Sequence, residues 1–477
     1  MKVIEEGGEI EEEEKSQNLG ETVKNTDKNT EFLKGISTVV GAILVNFIVG
    51  SIFGLCTLII YQISYIKGVD PNNFITVDHI DFYYPFEVIF QCLSSFLSGI
   101  LEKNLGLHLT NLLGFFLLGL GYFIMFLSEN FFVDILSMIV GGVGTGIIYY
   151  PSTKNACLWF MDHNGLVIGI LETTISLGSF FFSLIGEIII NYKGKESGDD
   201  DLYDLDIAQN IKIYLAILIM CVFGVLAISY LLMFIKEEDE LISTKGTITT
   251  TTSKKIVYKG RLKAALKSKK LLLFAIISIL STQGPTMVFT LYRGIGEYKK
   301  INVGILQLIG SLNFIFECLS GIIAGILCDY VNLKVLLFII GGINTALVAT
   351  YCLTFTNGTA FFWYTNLVSF IFGAFYPYSD CYLMRVFGID IYIELLGYVS
   401  FLTNLVVVLF SPIAYFVETG LEIKDNAYWI LFSIFGGLNF IALIMTFFIN
   451  AEPFNYGEID ALLSNKIDDS NLSESEQ

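Results

Sequence analysis

The sequence predicts an all-α polytopic membrane protein whose twelve transmembrane helices form two pseudo-symmetric six-helix bundles. Three observations carry that reading: an apolar composition, a count of segments long enough to cross a bilayer, and a constant offset between the two halves.

Of 477 residues, 54% are hydrophobic and 16% charged, with a mean hydropathy of +0.66. A water-soluble domain does not expose so much apolar surface. The chain has 41 Phe and 25 Tyr but 7 Pro, and no ten-residue alternation of polar and apolar positions, so the spans are helices rather than barrel strands. The net charge of −18 sits at the ends, with ten acids in residues 1–34 and seven in 451–477. Residues 1–35 are therefore expected to be a disordered acidic cytoplasmic tail and 451–477 a second acidic tail, both facing solvent. The 8 cysteines lie in or at the ends of apolar runs without Cys-x-x-Cys spacing and read as small buried hydrophobes. The first apolar run follows more than thirty mostly polar residues. No cleavable signal peptide is expected, and the first span serves as the targeting signal.

A helix needs roughly 20 apolar residues to cross a bilayer. Six such runs occur at about 37–64, 83–102, 108–127, 131–156, 166–192 and 210–235, and six more at 269–292, 304–328, 334–355, 359–387, 395–419 and 427–450. This gives an N-terminal bundle over 36–235, a basic linker over 236–268 and a C-terminal bundle over 269–450. Residues 236–270 hold ten of the 28 Lys and Arg, which places the linker, and with it both termini, in the cytoplasm. The predicted outer loop at 193–206 has six acids against two lysines. The outer loop "RGIGEYKK" at 293–300 is the exception.

The halves repeat at an offset of 226 residues. Gly99 and Leu101 map to Gly325 and Leu327, Gln91 maps to Glu317, and "YPSTK" at 150–154 maps to "YPYSD" at 376–380. A parallel repeat suits two six-helix units entering the membrane in the same sense.

These features resemble the major facilitator superfamily, whose members carry Gly-x-Leu-x-Asp-Arg-x-Gly-Arg between spans two and three and a weaker copy between spans eight and nine. Here the second copy is fuller, with Gly325, Leu327, Asp329 and Lys334; the first keeps Gly99, Leu101 and Gly106 but has Lys103 at the acidic position. The resemblance implies a rocking transporter whose loop acids and bases tie helix ends together on the cytoplasmic side, more weakly in the first half. "WFMDHNGLVIGI" at 159–170 is similar to the signature of the oxalate/formate antiporter and monocarboxylate transporter-like branch, departing from it at Met161, Asn164 and Val167. That branch holds a substrate carboxylate with basic residues in spans eight and eleven. Neither of the corresponding segments here supplies one.

An ionisable side chain within the membrane costs roughly 2.5–3.5 kcal/mol on insertion scales, which makes it a functional candidate. Glu317, in span eight, is a candidate proton carrier, with a helix-to-helix hydrogen bond as its structural alternative; its repeat mate Gln91 cannot titrate. Lys154 and Asp380 occupy equivalent repeat positions and are candidates for a cytoplasmic gate pair. Lys154 could instead meet a substrate carboxylate or extend to lipid headgroups, and Arg385 competes as the partner of Asp380. Pro151, Pro285 and Pro377 break spans four, seven and ten. Tyr149, Tyr376, Gln283 and Asn404 are candidates to line a cavity near the breaks. Gly141, Gly142, Gly144 and Gly146 read as close-packing positions rather than a phosphate loop, since no P-loop Lys-Ser follows them.

The resulting expectation is a secondary transporter of a small organic solute, a monocarboxylate or related anion, with a proton as possible co-substrate. An amino acid or other zwitterion is the alternative solute, and a non-transporting nutrient sensor or scaffold is the alternative of another class. The three histidines, His79, His108 and His163, lie in loops without metal spacing or an adjacent nucleophile, so no enzyme activity, metal, cofactor or nucleic-acid partner is expected. A monomer is the default assembly. "EIDALL" at 458–463 fits an acidic dileucine sorting signal, which leaves plasma membrane and endomembrane both open. "NGT" at 357–359 is a glycosylation acceptor in a loop too short for ready modification.

Overall fold

A computed structural model describes residues 3–71, 74–195, 202–236, 251–419 and 424–457. The sorting motif at 458–463 lies outside the described residues. In chain order the helices are α1 (Val3–Thr57), α2 (Ile59–Val69), α3 (Tyr83–Leu105), α4 (Leu107–Leu127), α5 (Phe131–Trp159), α6 (Asn164–Ile190), α7 (Leu205–Ala208) and α8 (Ile211–Leu232). The second half contains α9 (Thr251–Leu266), α10 (Lys269–Tyr298), α11 (Val303–Tyr330), α12 (Leu333–Thr350), α13 (Gly358–Phe387), α14 (Tyr392–Thr419) and α15 (Lys424–Met445). Among the described residues, eleven helices are long and apolar enough to cross a membrane. The remaining candidate is α13, 30 residues long, whose Trp363, Tyr364, Asn366 and Asp380 lower its hydropathy. Its length still exceeds what a bilayer requires.

From Val3 onward the acidic stretch, expected to be disordered, is helical as the leading part of α1. Glutamates are good helix formers, and their charge is favourable toward a helix N-terminus. The start of the second acidic tail is also anchored: the Phe454 amide donates to the Val386 carbonyl at 2.6 Å, and the Tyr456 hydroxyl to that of Phe387 at 3.0 Å.

Helix α5 packs against both α3 and α4, and its glycines explain how. A Cβ on Gly142 would overlap the Glu87 carbonyl oxygen, one on Gly144 the Leu118 amide, and one on Gly146 the Gln91 carbonyl and Ser94 Oγ. Backbone meets backbone here, in a membrane where van der Waals packing drives helix association. Gly146→Val is expected to destabilise the protein by about 2 kcal/mol or more, read as a lower thermal midpoint in detergent. Wild-type stability in that variant would refute the close approach.

The two halves meet chiefly along two contacts, α6 with α11 and α3 with α14. The 226-residue offset relates these pairs, since it carries α3 onto α11 and α6 onto α14. At one contact, a Cβ on Gly165 would overlap the Gly325 carbonyl, and Gly169 lies against the Gly321 carbonyl. At the other, Gly99 packs on the Glu394 carboxylate and Gly397 on the Phe96 backbone. One hydrophobic core crosses between halves at this end, joining Cys157, Ile168 and Leu171 to Cys328, Cys381 and Tyr382. The linker helix α9 packs at the same end, against α14. The molecule is therefore sealed on its linker face.

Candidate functional site

The closed contact on the linker face is built from one acid and one base at equivalent places in the repeat. Asp329, at the end of α11, accepts hydrogen bonds from the Gly165 and Leu166 amides at 2.8 and 2.9 Å. It thereby caps the start of α6 across the halves, where a carboxylate complements exposed N–H groups and the helix dipole. Arg385 of α13 pairs with the same carboxylate at 2.6 Å and donates to the Cys328 carbonyl. Lys103, the repeat mate of Asp329, also crosses between halves: it donates to the Asp390 carbonyl just before α14 and lies 3.3 Å from the centroid of the Tyr258 ring. The first copy of the loop motif thus bridges the halves through a lysine. Gly106 ends α3 with a φ of +79°, a left-handed conformation that glycine adopts without strain and that lets α4 begin one residue later. Lys334 instead binds the Phe447 carbonyl at 2.7 Å, within the second half.

The expected Lys154–Asp380 pair is not formed. Lys154 is 3% exposed and paired with Glu102 of its own half at 3.2 Å. The repeat supplies the reason: Glu102 maps onto Cys328, so Asp380 has near it a thiol where Lys154 has a carboxylate. The Oδ2 atom of Asp380 is buried without a hydrogen-bond partner. Arg385, the other expected partner of Asp380, is engaged by Asp329. Removing one partner of a buried ion pair is costly because it strands the other charge. Glu102→Lys with Lys154→Glu should therefore recover the folding yield that each single substitution loses. A charge exchange between Lys154 and Asp380 should recover none, and recovery there would restore the original gate pair.

Deeper in the interface is a group of acids and tyrosines contributed by both halves. Tyr149 of α5 donates a hydrogen bond to Glu172 of α6. One turn further along α6, Ser176 lies beside Glu317 of α11, and the Thr173 hydroxyl donates to the Cys318 carbonyl at 2.9 Å. Glu172 and Glu317 thus lie on facing sides of the α6–α11 contact, close enough to feel each other's charge, and Asp380 lies within the same electrostatic reach of Glu172. Glu317 sits tightly against α13, where a Cβ on Gly373 would lie 2.7 Å from its Cγ.

Tyr376 is mid-helix in α13 yet 44% exposed, with Tyr84, Glu317, Glu172 and Tyr150 around it. Because these neighbours come from both halves, its exposed surface opens into the space between them. Tyr84 of α3 is 47% exposed in the same surroundings.

Asn404 joins the interface, donating to Cys92 Sγ at 3.4 Å across the halves and to the Ser400 carbonyl at 3.0 Å. Gln91 contributes its backbone carbonyl, which accepts from Ser94 and Ser95 and packs on Gly146. Gln283 is placed elsewhere, buried in α10 with both amide atoms lacking hydrogen-bond partners. The helix runs on through Pro285, contrary to the expected break; lacking an N–H, Pro285 frees the Ser281 carbonyl, which Asn344 satisfies at 2.8 Å. Sequence reading missed Glu172, Tyr84, Tyr150 and Glu102, although Glu172 lies within the predicted span 166–192. Among the described residues, no three His, Cys, Asp or Glu side chains gather as a metal site.

Comparison with known proteins agrees with this fold. A family model, Major Facilitator Superfamily, matches residues 38–299. Among curated proteins, the chain is 27% identical over 135 residues to the MFS-type transporter opdF of Penicillium oxalicum, spanning 30% of it. It is 25% identical over 160 residues to the uncharacterized MFS-type transporter YhjX of Escherichia coli, spanning 38% of it. It is 32% identical over 56 residues to monocarboxylate transporter 9 of Pongo abelii, spanning 11% of it. The matched stretches thus cover well under half of each relative. Among solved structures, FucP in the outward conformation matches with a TM-score of 0.65 at 12% identity, over 86% of this chain and 98% of that one. The proton:xylose symporter XylE matches at 0.63 and 15%, over 88% and 97%. At these identities the structures establish the fold.

Proposed function

The chain belongs to the major facilitator superfamily, and we propose that it is a secondary active transporter coupling a small organic solute to a proton carried by Glu172 and Glu317. The observation that carries this reading is the nearness of these two acids at the α6–α11 contact, each next in sequence to a member of the Thr173–Cys318 hydrogen bond. That contact must part for the halves to rock. Two carboxylates facing each other away from bulk water repel strongly when both are charged, so a proton held between them steadies the closed interface, and its loss favours separation. The solved relatives named as symporters of fucose or xylose with protons support coupling by analogy.

The site's chemistry favours a solute bearing an amino group, such as an amino acid or other zwitterion. Glu172, Glu317 and Asp380 attract a cation, and the faces of Tyr84 and Tyr376 can receive one. Lys154, the base expected to meet a solute carboxylate, is held by Glu102. A monocarboxylate is the second reading, favoured by the signature at 159–170 and by the short match to monocarboxylate transporter 9. Uptake of labelled amino acids, monocarboxylates and sugars by reconstituted protein, at two pH values, separates the readings. Saturable, pH-dependent uptake of amines is expected. Uptake confined to carboxylates would select the second reading, and no counterflow with any solute would favour the sensor.

A further inference from the structure

Helix α9 has two faces. Its inner face belongs to the core at the gate: Ala265 is fully buried, and Tyr258, Leu262 and Leu266 pack beside it. Tyr258 donates to Glu394 at the start of α14, its ring lies under Lys103 from the other half, and Arg261 pairs with Asp390 at 3.3 Å. Its outer face carries Lys259 and Lys263, and Lys267 follows in the turn that ends the helix, all three exposed. Their four-residue spacing puts them in one row along the helix, spanning roughly 12 Å at 1.5 Å per residue.

We propose that this lysine row is a docking surface for anionic phospholipid headgroups, and that a docked lipid steadies the closed linker-face gate through the opposite side of α9. A lipid rather than a free phosphate is indicated by position: Lys267 stands two residues before Lys269, the first residue of the membrane-crossing α10. The row therefore begins where the chain leaves the bilayer, within reach of headgroups for long lysine stems. The gate contacts lie on the far side of the same short helix, so holding α9 also holds Tyr258 against Glu394 and Lys103.

The test uses the full chain. In detergent, titration with phosphatidylglycerol is expected to raise the melting temperature of the wild type, while phosphatidylcholine and inositol hexakisphosphate are not. Replacing the three lysines by glutamine should leave the lipid-free melting temperature unchanged and weaken the apparent lipid affinity by roughly fivefold per lysine. The triple arginine variant should retain the response. An unchanged response in the glutamine variant would overturn the proposal, and an equal rise with inositol hexakisphosphate would assign the row to soluble phosphates instead. In nanodiscs, phosphatidylglycerol should slow amide exchange over 388–395 in the wild type and not in the glutamine variant. Equal exchange in phosphatidylcholine and phosphatidylglycerol discs would overturn the link to the gate.

Discussion

Glu317→Gln is expected to abolish solute uptake driven by a proton gradient while leaving solute exchange between loaded vesicles near its wild-type rate. Glutamine matches glutamate in size and keeps its packing against Gly373 and beside Ser176, so the α6–α11 contact survives. It cannot release a proton, so the variant should cycle only with solute bound. Glu172→Gln should act in the same direction, because its carbonyl oxygen can still accept from Tyr149. Asp380→Asn separates coupling from solute recognition: if Asp380 attracts the solute's amino group, its loss should raise the apparent KM while leaving the pH dependence in place. Proton-driven uptake that persists in both glutamine variants would remove these acids from the coupling step.

Asp329→Ala is expected to open the linker face. The substitution removes an ion pair to Arg385 and two amide contacts to α6 at a side chain only 3% exposed. Breaking a buried pair costs roughly 3–5 kcal/mol, enough to shift a two-state population by about two decades or more. Spin labels introduced as unnatural amino acids at Leu109 and Val335, exposed residues near the starts of α4 and α12, report the separation of the halves. The variant should show a longer distance that the wild type lacks. Arg385→Ala should act in the same direction but less, since that side chain is one-third exposed. Identical distance distributions in wild type and Asp329→Ala would show that the lock lies elsewhere.

The fold was legible because bilayer thickness forces helical spans to declare themselves as long apolar runs, and because the 226-residue offset pairs α3 with α11 and α6 with α14. The loop motif likewise pointed to Asp329. Ion-pair partners were less legible, because a repeat assigns equivalent places and not mutual contact. Lys154 and Asp380 are equivalent, yet Lys154 pairs with Glu102 of its own half, while the matching position beside Asp380 holds Cys328, which offers no counter-charge. Glu172 was visible as an ionisable residue in an apolar run, the same signal that singled out Glu317. Its significance rests on facing Glu317 across two helices 145 residues apart in sequence, like the neighbouring Thr173–Cys318 bond. Neither segment alone discloses that. The helical start of α1 was missed because acidic composition was weighed as solvation and not as helix propensity.

Proton coupling through the interface is tested most directly by a pH-sensitive dye sealed inside vesicles that contain the protein. With a transported solute added outside and no imposed pH gradient, solute entry should acidify the lumen of wild-type vesicles, and the Glu172→Gln, Glu317→Gln double variant should not acidify it. Solute entry without acidification in the wild type, or acidification unchanged in the double variant, would contradict the account.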